Sequence, residues 1–300
     1  MGQNQSEERI INFLNKHQTT YFVQSELHRK SNTRHFISFK KNDDDTVNLE
    51  DEKNCYILKI LPYDNEEKIT KFQKDQEILN IFKDNPQILN NEETIELTIE
   101  FKKYIIVPTK YYHQGDVYYY IWHRDLITVG LVRSVAFQAI QILDLLKEHH
   151  VVHNDIKFQN FLVESVKPLQ IALHDFNYAQ ILNDDEKSNQ CGGTPVFEAP
   201  EILEKKEHDY SSDIWSLGVN IYLALYSELP FGLTEDDDDE SKILDKIKNN
   251  QLENKNDKVP PDAWECITKM LTFNPDDRIT PKDALDLNWF LPEINKSYGI

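Results

Sequence analysis

The residues that could do chemistry lie close together in the second half of the chain. His153-Asn154-Asp155-Ile156-Lys157-Phe158-Gln159-Asn160 places an acid, a lysine and an amide within six residues. A second acid, Asp175, follows fifteen residues after Asn160, in the run His174-Asp175-Phe176-Asn177. Transfer of a phosphoryl group needs such a set. One carboxylate orients or deprotonates the attacking hydroxyl, a carboxylate and an amide hold magnesium, and a lysine neutralises charge developing on the phosphate. Taken singly, Asp155 or Asp175 reads as a turn acid; the set argues for chemistry.

Another candidate cation lies upstream. Cys55-Tyr56-Ile57-Leu58-Lys59-Ile60-Leu61 has the character of a buried strand closed by Pro62, with Lys59 in its middle. A lysine in a half-buried strand usually lifts its amine to solvent; buried, it requires an anionic partner. The next segment, Glu66 to Phe82, has helical spacing, with Ile69, Phe72, Leu79 and Phe82 on one stripe and Asp75 on the same stripe. Glu77 lies about 200° around the helix from Asp75 and is expected to face water. Asp75 is therefore the candidate partner of Lys59.

The elements that must position these groups fall into two parts. From about Tyr21 to Ile106, short apolar runs between polar stretches predict strands with one helix. From about Asp116 onward, long helical patterns dominate. Leu131 to Leu146 is a strongly apolar helix, and Asp213 to Tyr226, apolar nearly all round, predicts a buried central helix. Two lobes joined near Thr109–Gly115 are expected, and a cleft between lobes is a favoured place for a ligand.

Composition excludes several classes. The chain is 39% hydrophobic over 300 residues, enough for a large core. A net charge of −19 argues against nucleic-acid binding, which needs positive charge facing phosphate, and suits basic partners. The acidic runs Asp43–Asp45 and Asp236–Glu240 read as solvated loops. Cys55, Cys191 and Cys266 are too far apart for a metal site and are expected to be reduced thiols. No stretch approaches the roughly 20 apolar residues of a membrane span, and Met1 to Arg9 lacks the apolar core of a secretory signal. The expected location is cytoplasmic. Met1-Gly2-Gln3-Asn4-Gln5-Ser6 matches the N-myristoylation pattern with Gly2 as acceptor. Glu7 and Glu8 stand where basic residues would help, and one myristoyl chain anchors only marginally. Peripheral membrane contact is expected only if Gly2 is acylated.

Over roughly residues 20 to 292 the sequence resembles the eukaryotic protein kinase family. The His-x-Asp-x-Lys-x-x-Asn pattern at 153–160 and Asp175-Phe176 are two of its motifs. Gly193-Thr194-Pro195-Val196-Phe197-Glu198-Ala199-Pro200-Glu201, Ser212-Asp213-Ile214-Trp215-Ser216-Leu217-Gly218 and Asn274-Pro275-Asp276-Asp277-Arg278 follow in the family's order. His123-Arg124-Asp125-Leu126 spells the catalytic loop more literally than His153 does. But Ile127 and Gly130 stand where lysine and asparagine are required, so it reads as a surface turn.

The resemblance implies an α+β, two-lobed kinase fold. A small, mainly antiparallel β-sheet lobe with one key helix would span about 20–109, a hinge about 110–115, and a larger, mainly α-helical lobe about 116–292. Residues 1–19 would be an extension and 293–300 a tail, with no second domain. It further implies ATP and Mg2+ as cofactors and a protein substrate. Asp155 would be the catalytic base and Lys157 its phosphate-facing partner, with Asn160 and Asp175 holding magnesium. Lys59 would pair with the nucleotide's α/β-phosphates and with Asp75. Thr109 would guard the adenine pocket, Lys110 to Tyr112 would bind adenine through the backbone, and Ile57, Asp116 and Leu162 would complete the nucleotide-binding set. His153 and Phe176 would be structural, Asp213 would brace the catalytic loop, and Glu201 and Arg278 would form a buried ion pair. Lys157 and Thr194 are of the serine/threonine type.

The departures from the family pattern are specific. None of the eight glycines lies between Gly2 and Gly115, so the glycine-rich lid expected around Leu27 to Phe39 is missing. Glycine lets backbone N–H groups approach phosphates closely; Arg29, Lys30 or Arg34 either replaces part of that cradle with side-chain charge or belongs to an ordinary basic surface turn. Ile57 replaces a small alanine, and Asp75 replaces a glutamate, shortening the reach by about 1.5 Å. Asn177 replaces a glycine and would tolerate a left-handed backbone. Asn154 replaces an arginine that pairs with a phosphorylated activation segment, where Ser188 is the candidate phosphosite and otherwise a solvated serine. Two functions follow as expectations: an active serine/threonine kinase, with basic substrates suggested by Asp116 and the net charge, or a pseudokinase acting as a binding scaffold.

Overall fold

Alternation along one strand organises the first half of the molecule. In this computed structural model, residues 11–16, 20–30, 33–64, 66–99, 101–123, 127–183, 186–190, 192–255 and 257–293 are described. Gly2, Cys191 and Arg124-Asp125-Leu126 of the literal motif fall outside that set. The chain divides into two compact units, Met1–Asn85 with Leu89–His113, and Pro86–Ile88 with Gln114–Ile300.

The first unit holds a helical segment at residues 11–16 (α1) and an antiparallel five-stranded sheet in the order β1-β2-β3-β5-β4. Its strands are β1 (Tyr21–Lys30), β2 (Thr33–Lys40), β3 (Cys55–Pro62), β4 (Ile95–Ile99) and β5 (Lys102–Lys110). Successive side chains of a strand point to opposite faces. Tyr56, Leu58 and Ile60 of β3 bury one face with Tyr21, Val23, Phe36, Ile106 and Leu14 of α1. Leu61, Ile105 and Val107 form the other cluster, covered by Ile69 and Phe72 of α2 (Glu66–Ile81). Ile57 and Lys59 share that second face with Leu61 by the two-residue period. On α2, Asp75 and Phe72 are half-buried while Glu77 is exposed, as the helical spacing predicts.

The second unit is mainly helical. It contains α3 (Val117–Trp122), α4 (Val129–Glu148), α5 (Pro200–Leu203), α6 (Tyr210–Tyr226), α7 (Glu240–Asn249), α8 (Pro261–Met270) and α9 (Pro281–Leu285). Two small antiparallel pairs interrupt them, β6 (Val151–Val152) with β9 (Gln180–Ile181), and β7 (Phe161–Val166) with β8 (Leu169–Leu173). Asp209 caps α6 by accepting from Ser211 N, and every residue from Ser212 to Leu225 is buried. That makes α6 the central helix the apolar run predicts. Thr128 caps α4, its hydroxyl accepting from Leu131 N at 3.1 Å. One expectation needs correction: α4, at 20 residues, is long and apolar enough to cross a membrane. Most of its apolar side chains are instead buried in this unit, among them Val132, Val135, Ile140 and Leu143.

Candidate active site

The loop after β6 is fixed from below by α6. Asp213 accepts from the backbone N–H groups of His153 at 2.7 Å and Asn154 at 2.9 Å. Asn220, two turns further along α6, accepts from Phe158 N at 2.9 Å and donates to Ile156 O at 3.3 Å. Two buried side chains of one helix thus hold the loop at both ends. Burial pushes the Asp213 carboxyl up to about 7, against the two N–H donors that pull it down. His153 is fully buried, and burial pushes its imidazole down to about 4, so the ring is neutral. Its Nδ1 accepts from Asp155 N at 3.3 Å and its edge meets Phe176, ring centroids 4.9 Å apart.

Held this way, Asp155 presents a carboxylate with fixed partners. Lys157 Nζ donates to its two oxygens at 2.8 and 3.1 Å, and to Thr194 Oγ1 at 3.0 Å. Asn160 Nδ2 donates to Asp155 O at 2.7 Å and to Oδ2 at 3.0 Å. The amide nitrogen of Asn160 is therefore occupied, and its Oδ1 is left as an acceptor. Asp175 is exposed, and Asn177 donates to one of its oxygens. Asn160 Oδ1 and Asp175 are hard oxygen donors. They fit Mg2+, which takes one or two protein oxygens and completes its shell with water and phosphate. Among the described residues no group of three or more His, Cys, Asp and Glu side chains competes for a metal.

The backbone corrects one expectation here. The left-handed residue of the His174–Asn177 run is Asp175, at φ 68°, and Asn177 has no positive φ. Asparagine at 177 answers no glycine requirement; its amide ties Asp175 instead. Asn154, by contrast, is left-handed at φ 64°, a conformation asparagine tolerates well.

Asn154 also shows what replaces the missing arginine. Its Nδ2 donates to Tyr178 O at 3.0 Å and its Oδ1 lies 2.9 Å from His208 Nε2. His208 in turn exchanges backbone hydrogen bonds with Ser188, at 2.7 and 2.9 Å. Ser188 is fully buried, its hydroxyl donating to Gln180 Oε1 at 3.0 Å and accepting from Gln190 N at 3.1 Å. It is neither a solvated serine nor an accessible phosphosite. Deeper in this unit, Arg278 forms a bidentate pair with Glu201 at 2.7 and 2.9 Å and donates to the carbonyls of Ser211, Thr272 and Phe273. All five of its donors are satisfied, and it lies under the Trp215 ring at 5.2 Å.

His208, Asn220 and Glu198 were not singled out by the sequence. Glu198 carried one signal, an acid in the apolar run Pro195-Val196-Phe197-Glu198-Ala199-Pro200. It is 8% exposed, and burial, then Glu240, then Asp155 push its carboxyl up to about 7.

The proposed nucleotide residues divide between the units. In the first, Ile57 stands between Ile37 and Thr109, and Lys59 between His35 and Val107. Lys59 forms no ion pair with Asp75 in this structure, so the expected pair is not brought together. Thr109 Oγ1 donates to Asn91 Oδ1 at 2.8 Å, and Lys110 Nζ lies 5.6 Å from the Tyr112 ring centroid. Arg34 is held by Glu26 of β1, with Nε 2.8 Å from Oε1, which removes it as a spare cation for the hairpin. The side chains of Arg29 and Lys30 lie outside the described residues. In the second unit, Asp116 bridges to Leu162, and its Oδ1 accepts from Tyr119 N at 2.7 Å as the cap of α3.

An antiparallel sheet unit with one long helix, and a helical unit carrying this loop, are the parts of a protein kinase fold. Residues 46–290 match the protein kinase domain, and the chain belongs to the protein kinase family. The match begins beyond β2, so the glycine-free hairpin lies outside it. The chain is 30% identical over 215 residues to serine/threonine-protein kinase 17A of Oryctolagus cuniculus, covering 71% of this chain and 53% of that one. It is 30% identical over 206 residues to serine/threonine-protein kinase SAPK9 of Oryza sativa subsp. japonica, covering 65% and 56%. With serine/threonine-protein kinase ULK3 of Xenopus laevis it shares 30% over 177 residues, 59% and 37%. The matched region thus spans about half or less of these relatives' lengths.

Proposed function

We propose that this chain is a serine/threonine protein kinase that transfers the γ-phosphoryl group of ATP to protein hydroxyls. The observation that carries the reading is Lys157, whose ammonium joins the Asp155 carboxylate and the Thr194 hydroxyl. Asp155 would accept the proton of the attacking hydroxyl as the new O–P bond forms and the bond to ADP breaks. Lys157 would meet the charge on the phosphoryl oxygens, and Asp213 keeps the loop in place through both backbone amides. Asn160 Oδ1 and Asp175 would hold Mg2+, which supplies charge neutralisation on the phosphates. The test is transfer from radiolabelled ATP with magnesium to a mixture of basic and neutral protein acceptors. Asp155→Asn should lower the rate by about 10²–10⁴-fold; transfer equal in both proteins, or in neither, would sink the reading.

A second reading, a pseudokinase scaffold, is favoured by one observation, the unmade Lys59–Asp75 pair. Thermal unfolding with ATP and magnesium separates the two. A ligand at a hundred times its Kd stabilises by about 2.7 kcal/mol, and Lys59→Met and Asp175→Asn should abolish that shift. A nucleotide shift without transfer, or no shift at millimolar ATP, would favour the scaffold. Basic protein substrates and a cytoplasmic location are part of the first reading. Myristate labelling of the chain, lost in Gly2→Ala, would test acylation and the membrane contact it implies.

A further inference from the structure

We infer that Glu198 selects the substrate: its carboxylate receives a lysine or arginine side chain beside the phosphoacceptor hydroxyl. The inference rests on the kinase reading above and specifies the substrate class of that site.

Among the described residues five carboxylates are buried: Asp155, Glu198, Glu201, Asp213 and Glu293. Four have partners. Asp155 has Lys157 and Asn160, Glu201 has Arg278, Asp213 has two backbone amides, and Glu293 has Arg133 at 3.4 Å. Glu198 has no side-chain hydrogen bond or ion pair, although it is 8% exposed. Neither of its oxygens is among the atoms sealed from solvent without a partner, so the carboxylate keeps an opening. A buried, unpaired carboxylate is costly unless something cationic completes it.

Its position says what that cation is attached to. Glu198 Oε1 and Asp155 Oδ1 flank the same residue, Gly193. A Cβ placed there would lie 3.4 Å from the first oxygen, 3.5 Å from the second and 2.9 Å from Asn154 O. Gly193 has φ 147° and no side chain, so the floor between the two carboxyls is bare backbone. A hydroxyl presented to Asp155 therefore brings the next residues of its own chain past Glu198. The nearby charges reinforce the demand: Glu240 and Asp155 both disfavour the ionised form, and a cation would relieve both repulsions along with the desolvation. A resident metal is a poor alternative, since no third His, Cys, Asp or Glu joins Glu198 in a ligand cluster among the described residues.

The test is a positional-scanning library of serine and threonine peptides with ATP and magnesium, for wild type and Glu198→Gln. Wild type should prefer lysine or arginine over leucine or citrulline by about tenfold in kcat/KM at one position next to the acceptor. Glu198→Gln, equal in shape and without charge, should bring that ratio within about twofold. A wild type indifferent to arginine against citrulline, or a preference unchanged in the variant, overturns the inference. If no peptide is phosphorylated at all, the kinase reading fails, and the selectivity is read by anisotropy of labelled arginine and citrulline peptides instead. Tighter arginine binding lost in Glu198→Gln supports it; equal binding of the two by wild type overturns it.

Discussion

Glu198 makes the stability of the protein depend on pH in a direction that can be worked out. Its carboxyl is raised from an ordinary 4.5 to about 7, first by burial and then by Glu240 and Asp155. An acid with a raised folded pKa holds its proton more tightly in the folded state. It therefore subtracts stability as pH rises from its unfolded value to its folded one, and the loss levels off above that. The full shift corresponds to about 3 kcal/mol; because the carboxylate keeps an opening to solvent, about 1–2 kcal/mol is the expected size. Glu198→Gln removes the term. Relative to the variant, wild type should lose about 1–2 kcal/mol between pH 5 and pH 8, or about 2–6 °C in midpoint.

The assay is ligand-free thermal or urea unfolding of both proteins across that range. Asp213, pushed to about 7, and His153, pushed to about 4, titrate in both proteins and cancel in the difference. Glu240→Gln should reduce the pH-dependent gap by removing one of the two repulsive charges. Parallel stability curves for wild type and Glu198→Gln, or a gap that narrows as pH rises, would refute the assignment of an unpaired, desolvated carboxylate.

Three further outcomes are expected. Glu201→Gln leaves the Arg278 charge buried without its counter-ion and should cost about 3–5 kcal/mol in urea unfolding; adding Arg278→Met should recover part of it. His208→Ala removes the N–H beside Asn154 Oδ1 and should cost about 1–3 kcal/mol, with a fall in kcat that His208→Gln partly restores; phosphatase treatment of wild type should leave its activity unchanged. Asp213→Asn turns an amide N–H2 toward one of two backbone donors and should destabilise by about 1–3 kcal/mol, lowering kcat more than it raises KM.

The legible parts of the molecule are those with a period or a short span. β3 follows from an unbroken apolar run ended by proline, and α6 from apolarity all round. Asp155, Lys157 and Asn160 are legible as a set because six residues of loop bring them together. The contacts that escaped have no period. Ser188 meets His208 through one isolated bridge across twenty residues, which leaves no repeating pattern to read. Asp75 lies on the correct stripe of α2, but a stripe fixes rotation about the helix axis and not the distance from that axis to Lys59. The left-handed turn falls on Asp175 and not on Asn177, because the surrounding chain overrides the local preference of asparagine. Glu198 is defined by what it lacks, and an absent partner is visible only in three dimensions.

The neutral contacts around Asn154 have a consequence for regulation. An arginine at this position would leave a positive charge to be completed by an anion. Asn154 instead uses both ends of its amide, toward Tyr178 O and His208 Nε2. His208 has its pKa lowered, chiefly by burial; both ring nitrogens face acceptors, Nε2 toward Asn154 Oδ1 at 2.9 Å and Nδ1 toward Lys206 O at 3.4 Å, and the shorter contact favours the proton on Nε2 in the neutral ring. A phosphate on Ser188 would break both hydrogen bonds of that hydroxyl and bring two negative charges into a fully buried site. In the unmodified chain Ser188 is already held by two backbone and two side-chain hydrogen bonds, and Lys157 already reaches Thr194. Control of this kinase domain by Ser188 phosphorylation would act by disrupting the site, the opposite of the usual gain of order.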